Sequence, residues 1–174
     1  MTIQEYLRSL AGKHVAVIGV GVSNTPLIRL LRGADVAVTA CDRKDRAALG
    51  PLAEELEAMG CALRLGPDYL EDLSADVIFR TPGLHPRFLA AAARGAVITS
   101  EMEVFFQVCP CPIFAVTGSD GKTTTTTIIA GLLRAAGRRV HLGGNIGHPL
   151  LAETEAIRPE DIAVVELSSL KFNR

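Results

Sequence analysis

The sequence predicts an α/β protein built on parallel sheets. Three observations carry this. Short β-branched runs recur along the 174 residues, as in HVAVI at 14–18, IFAV at 113–116 and DIAVVE at 161–166. Helix-patterned stretches separate them, and such alternation leads to parallel strands joined by crossover helices. Glycine-bearing loops, Gly19-Val20-Gly21 and Gly118-Ser119-Asp120-Gly121, follow two of the runs and place backbone amides at strand-to-helix turns.

Taken in order, Thr2–Leu10 reads as a short helix, with Thr2 and Glu5 at capping-box spacing. His14–Ile18 is a buried strand, and Pro26 suits the first turn of a helix that runs to about Arg32. Asp35–Cys41 is the second strand, ending at Asp42. Residues 45–59 carry Leu49, Leu52, Leu56 and Met59 as one helical stripe. Ala62–Leu65 and Asp76–Phe79 are strands, the latter running into Arg80-Thr81-Pro82-Gly83. A helix over Pro86–Arg94, a strand over Ala96–Thr99 and a helix over Glu101–Val108 complete a first block. Cys109-Pro110-Cys111-Pro112 then interrupts the pattern, because two prolines in four residues do not continue a helix. The expected domains are therefore 1–108 and 109–174. In the second, Ile113–Val116 is a strand, a helix covers about Thr123 to Ala136, and Arg139–Leu142 and Asp161–Glu166 are strands. Parallel sheets are usually covered on both faces. Three strands with one good helix fall short of that, so the second domain reads as the start of a larger one.

With 18 basic and 19 acidic residues the net charge is −1, which leaves no positive field for a nucleic-acid partner. An apolar fraction of 48% excludes a disordered chain. No window approaches the roughly 18 apolar residues of a membrane span. The N-terminal MTIQEYLRSLAGKH carries Glu5 and Arg8 and lacks the apolar run of a signal peptide. A cytoplasmic setting is expected, with Cys41, Cys61, Cys109 and Cys111 as free thiols. Cys109 and Cys111 lack the further ligands that a metal site needs. His14, His85, His141 and His148 are scattered, and none is given a catalytic role.

The strongest chemical signal is IFAVTGSDGKTTTTT at 113–127. A strand, a glycine loop and Gly-Lys-Thr at a helix start form a phosphate cradle of backbone N–H groups. Lys122 supplies a point charge for the phosphates, and the Thr123 hydroxyl is a candidate Mg²⁺ ligand. The usual pattern has its first glycine where Val116 stands, so this loop is a shortened variant. Five consecutive threonines disfavour the helix by about 2–3 kcal/mol. Contacts to phosphate, metal or the preceding turn are the expected compensation. Glu166 closes DIAVVE at the carboxyl end of a strand, where α/β sheets bind ligands and where a second Mg²⁺ ligand belongs. Gly19-x-Gly21-x-x-Asn24 imitates a dinucleotide fingerprint with its third glycine replaced, and Asp42 stands where a ribose is often held. Gly143-Gly144-Asn145-Ile146-Gly147 lets the backbone approach a ligand and offers the Asn145 amide.

Together TGSDGKTTTTT (117–127), GGNIGHPLL (143–151) and VVELSS (164–169) resemble the Mur ligase family. GVGVSN (19–24), Asp42 with Lys44, TPG (81–83) and SEMEVF (100–105) agree in order and spacing. The resemblance implies a Rossmann-like N-terminal domain that binds a UDP-linked substrate, followed by the start of a P-loop ATPase domain. It implies ATP and Mg²⁺ as cofactors. The implied substrates are UDP-N-acetylmuramoyl-L-alanine and D-glutamate, joined by a cytoplasmic monomer through an acyl phosphate. By position, Ser23, Asp42, Lys44 and Gly83 would line the UDP site. Gly118, Ser119, Asp120, Gly121, Lys122, Thr123 and Thr124 would hold ATP. Thr123 and Glu166 would hold Mg²⁺. Asn145 would contact substrate near the acyl phosphate, making it a catalytic candidate with Lys122. The family pattern continues after Ser169 with an aromatic residue and a glutamine, where this chain reads Leu170-Lys171-Phe172-Asn173-Arg174. The family's C-terminal domain has no counterpart here, so the chain alone is expected not to complete ligation.

Two alternatives belong to other classes. One is a binding module that holds a UDP-sugar peptide or a nucleotide without catalysis. The other is a nicotinamide dehydrogenase built on Gly19 and Gly21, against which the replaced third glycine and the second phosphate loop both weigh.

Overall fold

β1 (His14–Ile18) is the central strand of a five-stranded parallel sheet in the computed structural model, which describes residues 1–21, 24–81, 84, 89 and 95–168. Its neighbours are β2 (Ala37–Asp42) and β4 (Val77–Phe79), with β3 (Ala62–Leu65) and β5 (Val97–Thr99) at the edges, in the order β3-β2-β1-β4-β5. Every pairing is parallel. Val15, Ala16, Val17 and Ile18 are all buried, because both faces of a central parallel strand are covered. That explains a continuous apolar run where an alternating one would mark a half-exposed strand.

Between β1 and β2, α2 (Asn24–Gly33) buries Leu27, Ile28 and Leu31. α1 (Ile3–Ser9) precedes β1. The stripe expected as one helix over 45–59 is two: α3 (Arg46–Leu49) and α4 (Pro51–Ala58). Gly50 separates them at φ 56° and ψ −134°, a conformation outside the helical region that glycine adopts without a Cβ penalty. Pro51 then opens the new helix, where its missing N–H costs nothing. Asp45 caps α3 by accepting from the Ala48 N–H at 2.8 Å. The helix expected over Pro86–Arg94 falls almost wholly outside the described residues. The architecture of this unit is the Rossmann-like α/β fold that the sequence predicts.

The chain divides into two compact units, one of Gln4–Glu101 and one of Met1–Ile3 with Met102–Arg174. All but the first residue of α5 (Glu101–Val108) therefore groups with the second unit. There, β6 (Ile113–Val116), β8 (Ile162–Glu166) and β7 (Val140–Gly144) form a parallel sheet in that order. All five residues of the central β8 are buried. Helix α6 (Lys122–Ala135) packs Ala130, Ile129 and Leu133 against Ile162 and Val164. A 3₁₀ turn at Leu151–Ala156, which the sequence did not announce, is held by the Thr154 hydroxyl donating to the Leu151 carbonyl at 2.7 Å. Phe114 on β6 and Ile128 and Leu132 on α6 remain 48%, 55% and 66% exposed, in keeping with a sparsely covered sheet.

At the amino ends of β7 and β8, His141 Nε2 lies 2.8 Å from the buried Asp161 carboxylate, which also accepts from the Arg158 N–H at 3.0 Å. These two hydrogen bonds, the one to His141 first, hold the Asp161 carboxyl below its ordinary range.

Candidate functional site

Each unit carries its own cluster of the expected residues at the carboxyl ends of its strands. In the first unit the connections from β1 and β4 lead to opposite edges of the sheet, which creates the crevice where open α/β sheets bind ligands. Gly19 follows β1 at φ 86°, and a Cβ there would lie 3.2 Å from Thr81 Cβ, so the loop approaches the end of β4 closely.

Asn24 explains the replaced fingerprint glycine. Its Nδ2 donates to the carbonyls of Ile18 and Gly19, both at 2.9 Å, stitching the glycine loop to the start of α2. Its Oδ1 is buried and has no hydrogen-bond partner among the described residues, a rare condition for a polar atom. Asp42 clamps the same loop from the next strand. One carboxylate oxygen accepts from the Val20 N–H at 2.6 Å and the other from the Lys44 N–H at 2.9 Å. The Asp42 carboxylate is therefore engaged in shaping the loop, a role that the expectation of a ribose acceptor did not include.

A cleft of about 290 Å³ opens here, lined by Gly19, Val20, Gly21, Asn24, Asp42, Lys44 and Thr81. A second, of about 410 Å³, shares Gly19, Asp42 and Thr81 and adds Ile18, Arg43, Tyr69 and Leu84. The pair offers backbone amides and a cation on one side and an aromatic, apolar wall on the other. That mixture suits a ligand with an anionic and a planar part. Ser23 and Gly83, also expected here, lie outside the described residues.

In the second unit, β6 feeds the loop 117–121 and then α6. Gly118 sits at φ 145° and Gly121, the residue before the helix, at φ 70°. No side chain caps the first turn of α6, so its N–H groups face the loop. Lys122 Nζ donates to the Ser119 carbonyl at 2.9 Å, holding the ammonium over the loop. Ser119 and Asp120 are exposed on the loop, and Thr124 is exposed on the first turn. The threonine run is partly accounted for within the helix: Thr126 and Thr127 hydroxyls donate to the Lys122 and Thr123 carbonyls at 2.7 and 2.8 Å.

Glu166 is the meeting point. It pairs in register with Val116 of β6 and Gly144 of β7 and is 3% exposed. Its Oε2 accepts from Thr123 Oγ1 at 2.6 Å and its Oε1 from Asn145 Nδ2 at 3.3 Å, while its carbonyl accepts from the Asn145 N–H at 2.9 Å. Gly144, at φ 96°, has no room for a Cβ, which would strike the Glu166 backbone. The structure thus brings together Lys122, Thr123, Asn145 and Glu166 from three elements. Ser168, two residues beyond Glu166 in the chain, has a buried Oγ with no hydrogen-bond partner among the described residues. It lies in VVELSS (164–169), one of the segments that carry the family resemblance, but was given no site role from the sequence.

Oxygen donors such as Thr123 Oγ1 and Glu166 Oε2 suit a hard divalent cation. Among the described residues no cluster of three or more His, Cys, Asp or Glu gathers for a metal. No helix among them is long and apolar enough to cross a membrane.

Comparison with known proteins gives a consistent result. Residues 116–174 match the Mur ligase middle domain. The chain is 46% identical, over 98% of its length and 38% of the relative's, to a UDP-N-acetylmuramoylalanine–D-glutamate ligase of Acetivibrio thermocellus. It is 45% identical to one of Clostridium novyi over the same shares. With one of Clostridium botulinum it shares 49% identity over 92% of this chain and 36% of that one. The chain thus spans little more than a third of the length of these relatives.

Proposed function

We propose that this chain belongs to the Mur ligase family and carries the UDP-substrate site and the ATP-phosphate site of a ligase that joins D-glutamate to UDP-N-acetylmuramoyl-L-alanine. The observation that carries the reading is the convergence of Thr123, Asn145 and the buried Glu166 beside the glycine loop that Lys122 closes.

In this reading the amides of 118–123 cradle the ATP phosphates at the positive end of α6. Lys122 offsets the negative charge of the transferring phosphoryl group. Thr123 and Glu166 would hold Mg²⁺ through their oxygens, giving up their mutual hydrogen bond to do so. When bound, the cation neutralises phosphate charge. Asn145 orients an oxygen of the substrate carboxylate, its side chain aligned through Glu166. In the first unit Lys44, beside the glycine loop that Asp42 holds in shape, takes the diphosphate, and the wall containing Tyr69 and Leu84 takes the base. Ser23 and Gly83 are assigned to the same substrate by resemblance.

The test is calorimetric titration of the chain with UDP-N-acetylmuramoyl-L-alanine. It is paired with D-glutamate-dependent phosphate release by a chimera in which this chain replaces the matching third of the Acetivibrio relative. One-to-one binding and phosphate release support the proposal. Binding without phosphate release in the chimera favours a binding module, and absence of binding removes the UDP-site assignment.

A further inference from the structure

The two sulfurs of Cys109-Pro110-Cys111 lie 3.6 Å apart, in the segment between α5 and β6. The chain on either side is anchored. The Cys109 N–H donates to the Phe105 carbonyl at 2.9 Å, and the Pro112 carbonyl accepts from the Ala163 N–H at 3.0 Å. The Cys109 thiol also points its proton at the Cys111 carbonyl, 3.7 Å away. Between them Pro110 fixes its own φ and stiffens the turn. The two thiols are unequal: Cys109 is half-buried, whereas Cys111 is buried. Cys109 also lines a cavity of about 400 Å³ with Val108, Pro110, Ile3, Gln107 and Thr154. Burial first, and the neighbouring Cys109 second, push the Cys111 thiol up to about 12, so it stays protonated near neutral pH. Cys41 and Cys61, the other two thiols, are both buried.

We infer that Cys109 and Cys111 form a redox-active dithiol site for low-molecular-weight disulfides, closing to an intramolecular disulfide by thiol–disulfide exchange. The Cys109 thiolate, reached through the cavity, attacks one sulfur of the incoming disulfide. A Cys109–S–S–R bond forms, the original S–S bond breaks, and one thiolate leaves. The thiolate released in that step takes the Cys111 proton, and the Cys111 thiolate so formed attacks the Cys109 sulfur and breaks its bond to the R–S group. The Cys109–Cys111 bond forms and a second thiol is released. Two protein thiols are oxidised and one disulfide is reduced to two thiols. The sulfurs need to close by only about 1.5 Å to reach bonding distance. All four cysteines are free thiols in the structure, as the sequence predicts, and the inference is independent of the ligase proposal.

The experiment is to incubate the chain with oxidised glutathione near neutral pH, alkylate under denaturing conditions with N-ethylmaleimide, and map tryptic peptides by mass. Trypsin leaves Cys109 and Cys111 together on the peptide spanning 95–122, which holds no other cysteine. The expected result is that peptide lighter by two hydrogens and unalkylated, reversed by dithiothreitol, with Cys41 and Cys61 alkylated. Cys111→Ser should instead retain glutathione on Cys109. Alkylation of both thiols in the oxidised wild-type sample, or a wild-type product that stops at a glutathione adduct, overturns the inference without recourse to any variant.

Discussion

Thr123 Oγ1 donates a 2.6 Å hydrogen bond to Glu166 Oε2, so the first turn of α6 and the end of β8 meet at a single point beside the glycine loop. Glu166→Gln keeps an oxygen that can accept from Thr123 but removes the charge. The fold should survive, with Mg²⁺-dependent ATP binding weakened about tenfold or more, since contacts to charged groups carry about 1.5–3 kcal/mol. Titration with and without Mg²⁺ checks this. Unchanged Mg²⁺ dependence would remove Glu166 from the cation site.

Asp42→Ala leaves the Val20 and Lys44 amides without their carboxylate acceptors. Because Asp42 is only partly buried, water replaces some of the loss, and a stability cost of about 1–2 kcal/mol is expected. Hydrogen exchange at the Val20 amide should accelerate, and UDP-substrate affinity should fall with it. Urea unfolding and amide exchange measure the first two effects. Slow exchange at Val20 in the variant would show that the clamp does not hold the loop.

Gly144→Ala should be far more damaging than its position in a loop-bordering strand suggests. The new Cβ meets the Glu166 backbone, and φ 96° is strained for any side chain. Overpacking and strain together should cost about 2–4 kcal/mol. A melting temperature equal to wild type would contradict the packing described for β7 and β8.

The acid limb of stability should depend on Asp161. Its carboxyl is held below the ordinary range by the bond to His141 and then by the Arg158 N–H. A lowered native pKa contributes stability that is present above the unfolded value of about 3.9 and is lost as pH falls through the native one. Melting temperature should therefore drop below about pH 4. Asp161→Asn should be less stable at neutral pH and flatter across that window. Parallel acid limbs for both proteins would rule this origin out.

Much of the scaffold was legible because central parallel strands are uniformly apolar. HVAVI begins and ends where the central β1 does, and IFAV matches β6 although that strand is an exposed edge. Glu166 was legible as a carboxylate at a strand's carboxyl end, and Lys122 and Thr123 from the loop pattern. The break at Gly50 was hidden because Leu49 and Leu56 stay in helical register across it, although Pro51 marked the restart. What the sequence could not show was side-chain direction. Asp42 turns one oxygen to the Val20 amide in the loop after β1 and the other to the Lys44 amide just beyond its own strand, and Asn24 replaces a glycine by hydrogen bonding where the fingerprint expects close packing. The proximity of the Cys109 and Cys111 sulfurs depends on a turn whose geometry spacing alone does not fix.

The most direct test of the central claim is calorimetric titration of the chain with ATP, with and without Mg²⁺, beside Lys122→Ala. The account predicts one Mg²⁺-dependent site that the variant loses. Absence of binding to the folded wild type, or binding that Lys122→Ala leaves unchanged, would contradict the assignment of the 117–123 loop as a nucleotide phosphate site.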